Sequence, residues 1–342
     1  MANGDFPVAV DPSRFLDQVW TALQGRLVES SRFACGDLSV EVEAPNSSWL
    51  SLLTRAITLA SDASPDLRLR VIGREELSLL PPFPLTLAKQ SSRGQIPEWC
   101  DETFLAVGAP YGLFLADRKS GRALIFYDRP SDIPTWDLCA PFRIPLGFLL
   151  PQLGYHLVHG AAVHTQYGGC LLVGKGGSGK SSSALVALSP DSRLGFLGED
   201  YLLVEQESLT VHPFYRSLKV DAHGQNRMPW LSDFELVGEQ DGKSCRLVPY
   251  EKLGPASVLK VLLWPDRESA VASSPIGRAT ALRKFAPSSL FQNPNAGPED
   301  FRALVSLCRG LESFSMGLGD SPTPLLVEKR ILEVMESLCI QS

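Results

Sequence analysis

A chain of 342 residues is long enough for one large or two ordinary domains, each with a buried core of its own. Hydrophobic residues at 44% and charged residues at 20% are the proportions of folded globular proteins and exclude disordered or collagen-like chains. A formal net charge of -6 surrounds the molecule with no basic field, so nucleic acid is not an expected partner.

Seven cysteines form an odd set without any CxxC spacing, which argues against a zinc site or a disulfide framework and fits a reducing compartment. The N-terminal MANGDFPVAVDPSRF lacks the basic start and continuous apolar stretch of a signal peptide. The most apolar window, 145–158, is broken by Pro151, Gln152 and His156 and is shorter than the roughly 20 residues of a membrane span. The expectation is a cytoplasmic protein with no membrane contact; a homo-oligomer is left open.

Helical periodicity covers 13–25 and 48–61, the second with Leu50, Leu53, Ala56, Ile57 and Ala60 on one face. Strand-like runs cover 38–42, 67–72, 104–107, 112–116 and 123–127, and the last two flank a charged, glycine-containing hairpin turn at 117–122. The segment 77–101, with Pro81, Pro82, Pro84 and Pro97, reads as an irregular loop. These features predict a small α+β domain over 1–135, ending in the proline-rich stretch 130–145. The rest, 136–342, carries the recognisable chemistry. There a short helix is expected over 146–155, strands over 157–165 and 170–173, and a helix over 179–188. Strands over 194–197 and 201–205 flank the acidic pair Glu199-Asp200, further strands follow at 209–212, 217–220 and 258–264, and helices close the chain near 298–311 and 323–339.

GKGGSGKS, residues 174–181, matches G-x-x-x-x-G-K-[ST] in full, with the apolar strand CLLV before it and a helix after it. Glycines let successive backbone N–H groups turn inward to cradle phosphate oxygens, and a lysine neutralises the β and γ phosphates. The expected nucleotide-binding segment is therefore Gly174, Lys175, Gly176, Gly177, Ser178, Gly179, Lys180, Ser181 and Ser182, with the Ser181 hydroxyl on Mg²⁺. Asp200, after the apolar run LGFLG, is the candidate carboxylate for the metal, and Glu199 beside it the candidate proton acceptor for an attacking hydroxyl. Phosphoryl transfer also needs cations around the moving group. Arg216 is the first choice, ahead of Lys243, Arg246, Arg278, Arg283 and Lys284.

The sequence HGAAV (159–163), then YGGCLLVGKGGSGKSSSAL, then RLGFLGEDYLLV, in that order, resembles the C-terminal catalytic domain of the HPr serine kinase/phosphorylase family, a relative of phosphoenolpyruvate carboxykinase. The resemblance is good over about 150–205; HPFYRSLKV and VLKVLLW are similar to the abbreviated C-terminal half of small relatives such as the kinases of lasso-peptide gene clusters. It implies a phosphoenolpyruvate carboxykinase-like P-loop domain with a mixed sheet, ATP and Mg²⁺ as ligands, and an α/β chain overall. It also implies that His159 lies near the active site and that Glu199 occupies the position of the family's catalytic aspartate. The arginine-containing signature of phosphorylase activity and HPr recognition is not found. The expected activity is transfer of a phosphoryl group to a serine or threonine hydroxyl of a protein or ribosomal peptide. A kinase of a small hydroxyl metabolite such as free serine, and a nucleotide-binding regulatory protein without turnover, are the alternatives.

Overall fold

The computed structural model describes residues 11–58, 60–82, 90–269, 272–292, 296–319 and 322–341. The first ten residues of the N-terminal segment and 83–89 of the expected proline-rich loop lie outside these. The chain divides into two compact units. One comprises the residues up to Phe33, Leu38–Leu52 and Ala60–Pro134; the other comprises Ala34–Asp37, Leu53–Leu59 and Thr135–Ser342. The division is thus not a single cut, because two short early segments belong with the later unit.

The first unit contains α1 (Pro12–Ala22), β1 (Glu29–Cys35), β2 (Leu38–Ala44), α2 (Ser47–Thr54), β3 (Leu67–Ile72), β4 (Phe104–Ala109), β5 (Gly112–Asp117) and β6 (Arg122–Tyr127). Its sheet runs β1-β2-β3-β6-β5-β4, with β2, β3 and β6 parallel and β6, β5 and β4 antiparallel. Asp11 caps α1 by accepting the Ser13 N–H at 3.0 Å, with Pro12 in the first turn where its missing N–H is harmless. Phe15, Leu16 and Val19 then pack on Ile72, Leu115 and Leu124 of the sheet. The expected hairpin at 117–122 is present: Asp117 pairs with Arg122, its carboxylate accepts Lys119 N–H and Ser120 O–H, and Gly121 takes φ 64. The helix expected over 48–61 stops at Thr54, and Ile57 instead forms a strand bridge to Tyr215 within the second unit.

The second unit begins with α3 (Thr135–Cys139) and α4 (Arg143–Leu149), followed by β7 (Tyr155–Thr165), β8 (Gly168–Leu172), α5 (Lys180–Leu185), β9 (Gly195–Glu205), β10 (Thr210–His212) and β11 (Ser217–Asp221). It continues with α6 (Ala222–Arg227), β12 (Glu235–Gln240), β13 (Lys243–Leu247), β14 (Ser257–Asp266), β15 (Ser274–Pro275), α7 (Arg278–Gln292), α8 (Pro298–Gly310), β16 (Glu312–Gly317) and α9 (Pro324–Gln341). Seven strands form a mixed sheet in the order β10-β9-β7-β8-β14-β16-β15, in which β8, β14 and β16 are parallel and β9, β7 and β8 antiparallel. Val211 of β10 pairs both with Val204 of β9 and with Ser257 of β14. A smaller sheet has the order β11-β13-β12.

The large sheet is covered on both faces, which explains why its central strands read as unbroken apolar runs rather than alternating ones. Val163, Cys170, Leu172, Val261 and Leu263 enter one core with residues of α5 and α9. Ala162, Leu171, Val173, Leu259 and Leu262 enter the other with α7 and α8. The short parallel strands between helices make this a mixed α/β chain. Among the described residues no helix is long and apolar enough to cross a membrane.

Further elements, in the second unit, differ from the sequence reading. The acidic pair does not separate two strands: β9 runs without interruption from Gly195 to Glu205, because it pairs along nearly its whole length with the equally long β7. The ladder is bent at this point, with Gly198 at φ 146, Asp200 at φ 69, and a register shift opposite Ala162 and Val163. The segment with Arg278, Arg283 and Lys284, for which no helix was expected, is the helix α7 with Pro287 inside it.

Candidate active site

The glycine-rich loop leaves the sheet at the C-terminal end of β8, where Val173 N–H still donates to Leu263 O at 2.9 Å. Gly174, Gly177 and Gly179 take φ 145, 77 and 103, conformations that side chains disfavour. A Cβ on Gly174 would meet Ser178 Oγ and the Trp264 ring at 2.8 Å, so the turn there requires glycine. Over Gly176 and Gly177 a Cβ would meet nothing within 4 Å, which leaves the mouth of the loop open. The helix that follows, α5, has only six residues and a 3-10 turn at Val186–Leu188. Its dipole is correspondingly small, and the loop amides and Lys180 supply most of the positive potential.

Lys180 is buried, and its Nζ donates to the carbonyls of Gly174 at 2.6 Å and Lys175 at 3.1 Å, folding the side chain back across the loop. Burial pulls its ammonium below the ordinary range, while Glu199 and Asp200 oppose that shift.

Opposite the loop, the bend in β9 presents both acids to the same cavity of about 440 Å³, which is also lined by His159, Lys180, Ser181, Lys219 and Lys243. Glu199 is 2% exposed; Oε1 accepts the Lys219 N–H at 2.6 Å, the Ser181 side chain lies close to the carboxylate, and Oε2 is buried without a hydrogen-bond partner. Desolvation, and then the neighbouring charge of Asp200, push its carboxyl above the usual range. Asp200 has the opposite fate. Burial resists its ionisation, but the bond from His159 Nε2 to Oδ1 at 3.3 Å and the Lys219 Nζ on Oδ2 at 2.6 Å outweigh it and hold the carboxyl well below the usual range. Lys219 is held charged in return, Asp200 overcoming the cost of burial. His159 Nδ1 is buried without a hydrogen-bond partner.

These two carboxyls give opposite stability signatures. Glu199, with its folded pKa raised, costs stability once pH exceeds the unfolded glutamate value of about 4.3. Asp200, with its folded pKa lowered, adds stability above about 3.9 and loses it only as pH falls through its depressed value. Glu199→Gln is therefore expected to melt at or above the parent temperature at neutral pH, the gain shrinking as the solution is acidified, while Asp200→Asn melts lower. Melting curves between about pH 5 and about pH 8 check the signs; a Glu199→Gln protein that loses most stability at neutral pH would contradict this reading of Glu199.

Of the residues expected at the site, the structure brings Gly176, Gly177, Lys180, Ser181, Glu199, Asp200 and His159 to one cavity, and Lys243 with them. Gly179 and Ser182 line an adjoining space of about 140 Å³, and Lys175 lines another beside Trp264 and Lys284. Gly174 and Ser178 form the base of the loop, the Ser178 hydroxyl buried and unpartnered. Arg216 does not line the cavity. Its guanidinium donates to Arg55 O at 2.7 Å and Val248 O at 3.0 Å and lies over the Tyr250 ring, so its donors serve backbone carbonyls. Arg246 likewise donates to Ser232 O and Phe234 O. Arg216→Ala is expected to lower unfolding stability by about 1–3 kcal/mol for the lost charge-assisted bonds, with ATP-dependent stabilisation retained. Urea unfolding with and without ATP and Mg²⁺ measures both.

Sequence reasoning missed Lys219. The signal was the period of two along β11: Leu218 and Val220 enter the core, which turns Lys219 to the opposite face, whereas Arg216 shares the parity of the core residues. Arg143, beside the Tyr201 ring, was also missed and lines the cavity. Comparison with protein-family models matches no family, and no curated protein matches the chain.

Proposed function

We propose that the chain is an ATP-dependent phosphotransferase with a P-loop domain of the HPr-kinase type, acting on a serine or threonine hydroxyl of a protein or ribosomal peptide. The observation that carries this reading is the convergence of Lys180, Ser181, Glu199 and Asp200 on one cavity at the mouth of the glycine-rich loop. ATP phosphates would lie in that mouth, where Gly176 and Gly177 leave room and Lys180 can swing from the loop carbonyls onto the phosphates. The residues fit Mg²⁺: the Ser181 hydroxyl and Asp200 are hard oxygen donors that line the same cavity. When bound, the ion would neutralise charge on the phosphates.

Glu199 is the proposed base. A raised carboxyl pKa suits a group that must take a hydroxyl proton near neutral pH. Lys219, with Lys243, supplies the cationic environment first assigned to Arg216. His159 orients Asp200 through its Nε2. The experiment is incubation of the protein with labelled ATP, Mg²⁺ and a panel of serine peptides, neighbouring gene products and free serine. Label on a peptide or protein supports the proposal, label on free serine alone moves the acceptor to a metabolite, and no label on any acceptor counts against it.

A second reading, a nucleotide-binding regulatory protein without turnover, is favoured by one observation. Both oxygens of Asp200 are engaged, one by His159 and one by Lys219, which leaves the metal carboxylate neutralised by protein groups. ATP-dependent stabilisation without label transfer or phosphate release would select it.

A further inference from the structure

Cys139 ends α3 and Cys245 lies in the middle of β13, more than a hundred residues apart in the chain, yet α3 packs against β13 and the two thiols lie close enough to perturb each other's ionisation. Both are about 1% exposed. Cys245 nevertheless forms part of the cavity wall, and in the β11–β13 ladder it stands directly opposite Lys219, the residue whose ammonium holds Asp200. Cys139 is not among the residues that line the cavity, and its carbonyl is fixed by the Ser217 hydroxyl at 2.6 Å. A small polar oxidant that enters the cavity therefore reaches Cys245 first, with a second sulfur close to it.

The other buried cysteines are different in kind. Burial pushes the thiols of Cys35, Cys170 and Cys308 up, as expected of inert core sulfurs. At Cys245 the neighbouring Cys139 thiol, together with the Lys219 charge, outweighs burial and favours the thiolate. Among the described cysteines, a neighbouring thiol, an adjacent cation and the cavity wall occur together at this one pair.

We propose that Cys139 and Cys245 are a modification site for peroxide, closing to a reversible disulfide that alters the Lys219 side of the cavity. The Cys245 thiolate attacks one peroxide oxygen; the S–O bond forms as the O–O bond breaks, giving a sulfenic acid and, after protonation, one water. Cys139 sulfur then attacks Cys245 sulfur, the S–S bond forms, and the hydroxyl leaves with the Cys139 proton as a second water. Two thiols lose two electrons and one hydrogen peroxide is reduced to two waters. Contraction to an S–S bond of about 2.05 Å draws β13 toward α3. Because Cys245 is the ladder partner of Lys219, this displaces the strand that carries the ion pair to Asp200.

The test uses the reduced full-length protein, treated with hydrogen peroxide, alkylated, digested and mapped by mass spectrometry. The expected product is the Cys139 peptide joined to the Cys245 peptide, separated again by dithiothreitol. In Cys139→Ser a 1,3-dione should trap a sulfenic acid at Cys245. Both thiols alkylated after treatment, a linkage to another cysteine, or sulfinic acid at Cys245 with Cys139 free would each overturn the site. Its reach into the cavity is read separately, as loss of at least half the melting-temperature gain from ATP and Mg²⁺, restored by dithiothreitol; a mapped disulfide with the gain unchanged overturns that reach. Peptide mapping is independent of the kinase reading. A reduced protein that gains nothing from ATP and Mg²⁺ would sink that reading while the mapped disulfide stood.

Discussion

Glu199→Gln is expected to slow phosphoryl transfer roughly 10²–10⁴-fold, the usual cost of losing a general base, while leaving the affinity for ATP and Mg²⁺ nearly unchanged. The substitution keeps the shape of a side chain that is 2% exposed, and an amide oxygen can still accept the Lys219 N–H. Packing is therefore not the source of the loss. The rival base is His159, whose Nδ1 is buried and unpartnered and could accept a proton. If histidine has that role, His159→Ala is the severe variant in single-turnover transfer and Glu199→Gln the mild one. Near-parental transfer by Glu199→Gln removes Glu199 from the mechanism. His159→Ala also strips the Nε2 bond from Asp200, so its binding of ATP and Mg²⁺ must be measured alongside the rate.

Lys180→Ala should abolish nucleotide-dependent stabilisation. A ligand present at 100 times its dissociation constant stabilises the parent by about 2.7 kcal/mol, and almost none of this should remain without the ammonium on the phosphates. The variant also loses the two bonds from Nζ to Gly174 O and Lys175 O, so a modest fall in the nucleotide-free melting temperature is expected and must be subtracted. Asp200→Asn should weaken binding only where Mg²⁺ is present, because it would replace the proposed charged metal ligand with a neutral one. Thermal melts with ATP alone and with ATP and Mg²⁺ separate the two effects. A Lys180→Ala protein that gains as much as the parent would dismiss the phosphate-loop assignment.

The parts of the site that are contiguous in the chain were readable before the fold. Strand, glycine loop and helix follow one another from Cys170 to Leu188, and local chemistry dictates each: an apolar run, glycines at positive φ, then helix-forming residues. The acidic pair was readable as chemistry but not as structure. Glu199-Asp200 breaks the apolar pattern of LGFLGEDYLLVE, so local reasoning ends a strand there, whereas the ladder with β7 carries the strand through. Lys219 could be placed only by combining strand parity with the knowledge of which face of β11 meets the core. Helix α7 was obscured by Pro287, which ordinarily ends a helix at the preceding residue. The β12–β13 hairpin was missed despite a signal in the sequence: Asp241-Gly242, at φ 50 and 72, is the two-residue turn favoured between antiparallel strands. Distant pairings such as Cys139 with Cys245 left no trace in spacing at all.

The ends of the seven-stranded sheet bear on how the protein behaves when concentrated. A strand with one bare row of N–H and C=O groups is a template on which another chain can add, and aggregation often begins there. Here Val211 of β10 is paired on both of its edges, with Val204 and with Ser257, so the terminal strand at that side is not open along its length. At the other side the sheet stops at β15, two residues long, and one of them is Pro275, which has no N–H to offer. Among the described residues, both terminal strands are short, β10 of three residues and β15 of two. Chain-to-chain growth of this sheet is thereby discouraged by its own termini, so solubility at high concentration should be governed by surface side chains, and mutations that extend β15 or replace Pro275 are where sheet-mediated aggregation would first be seen.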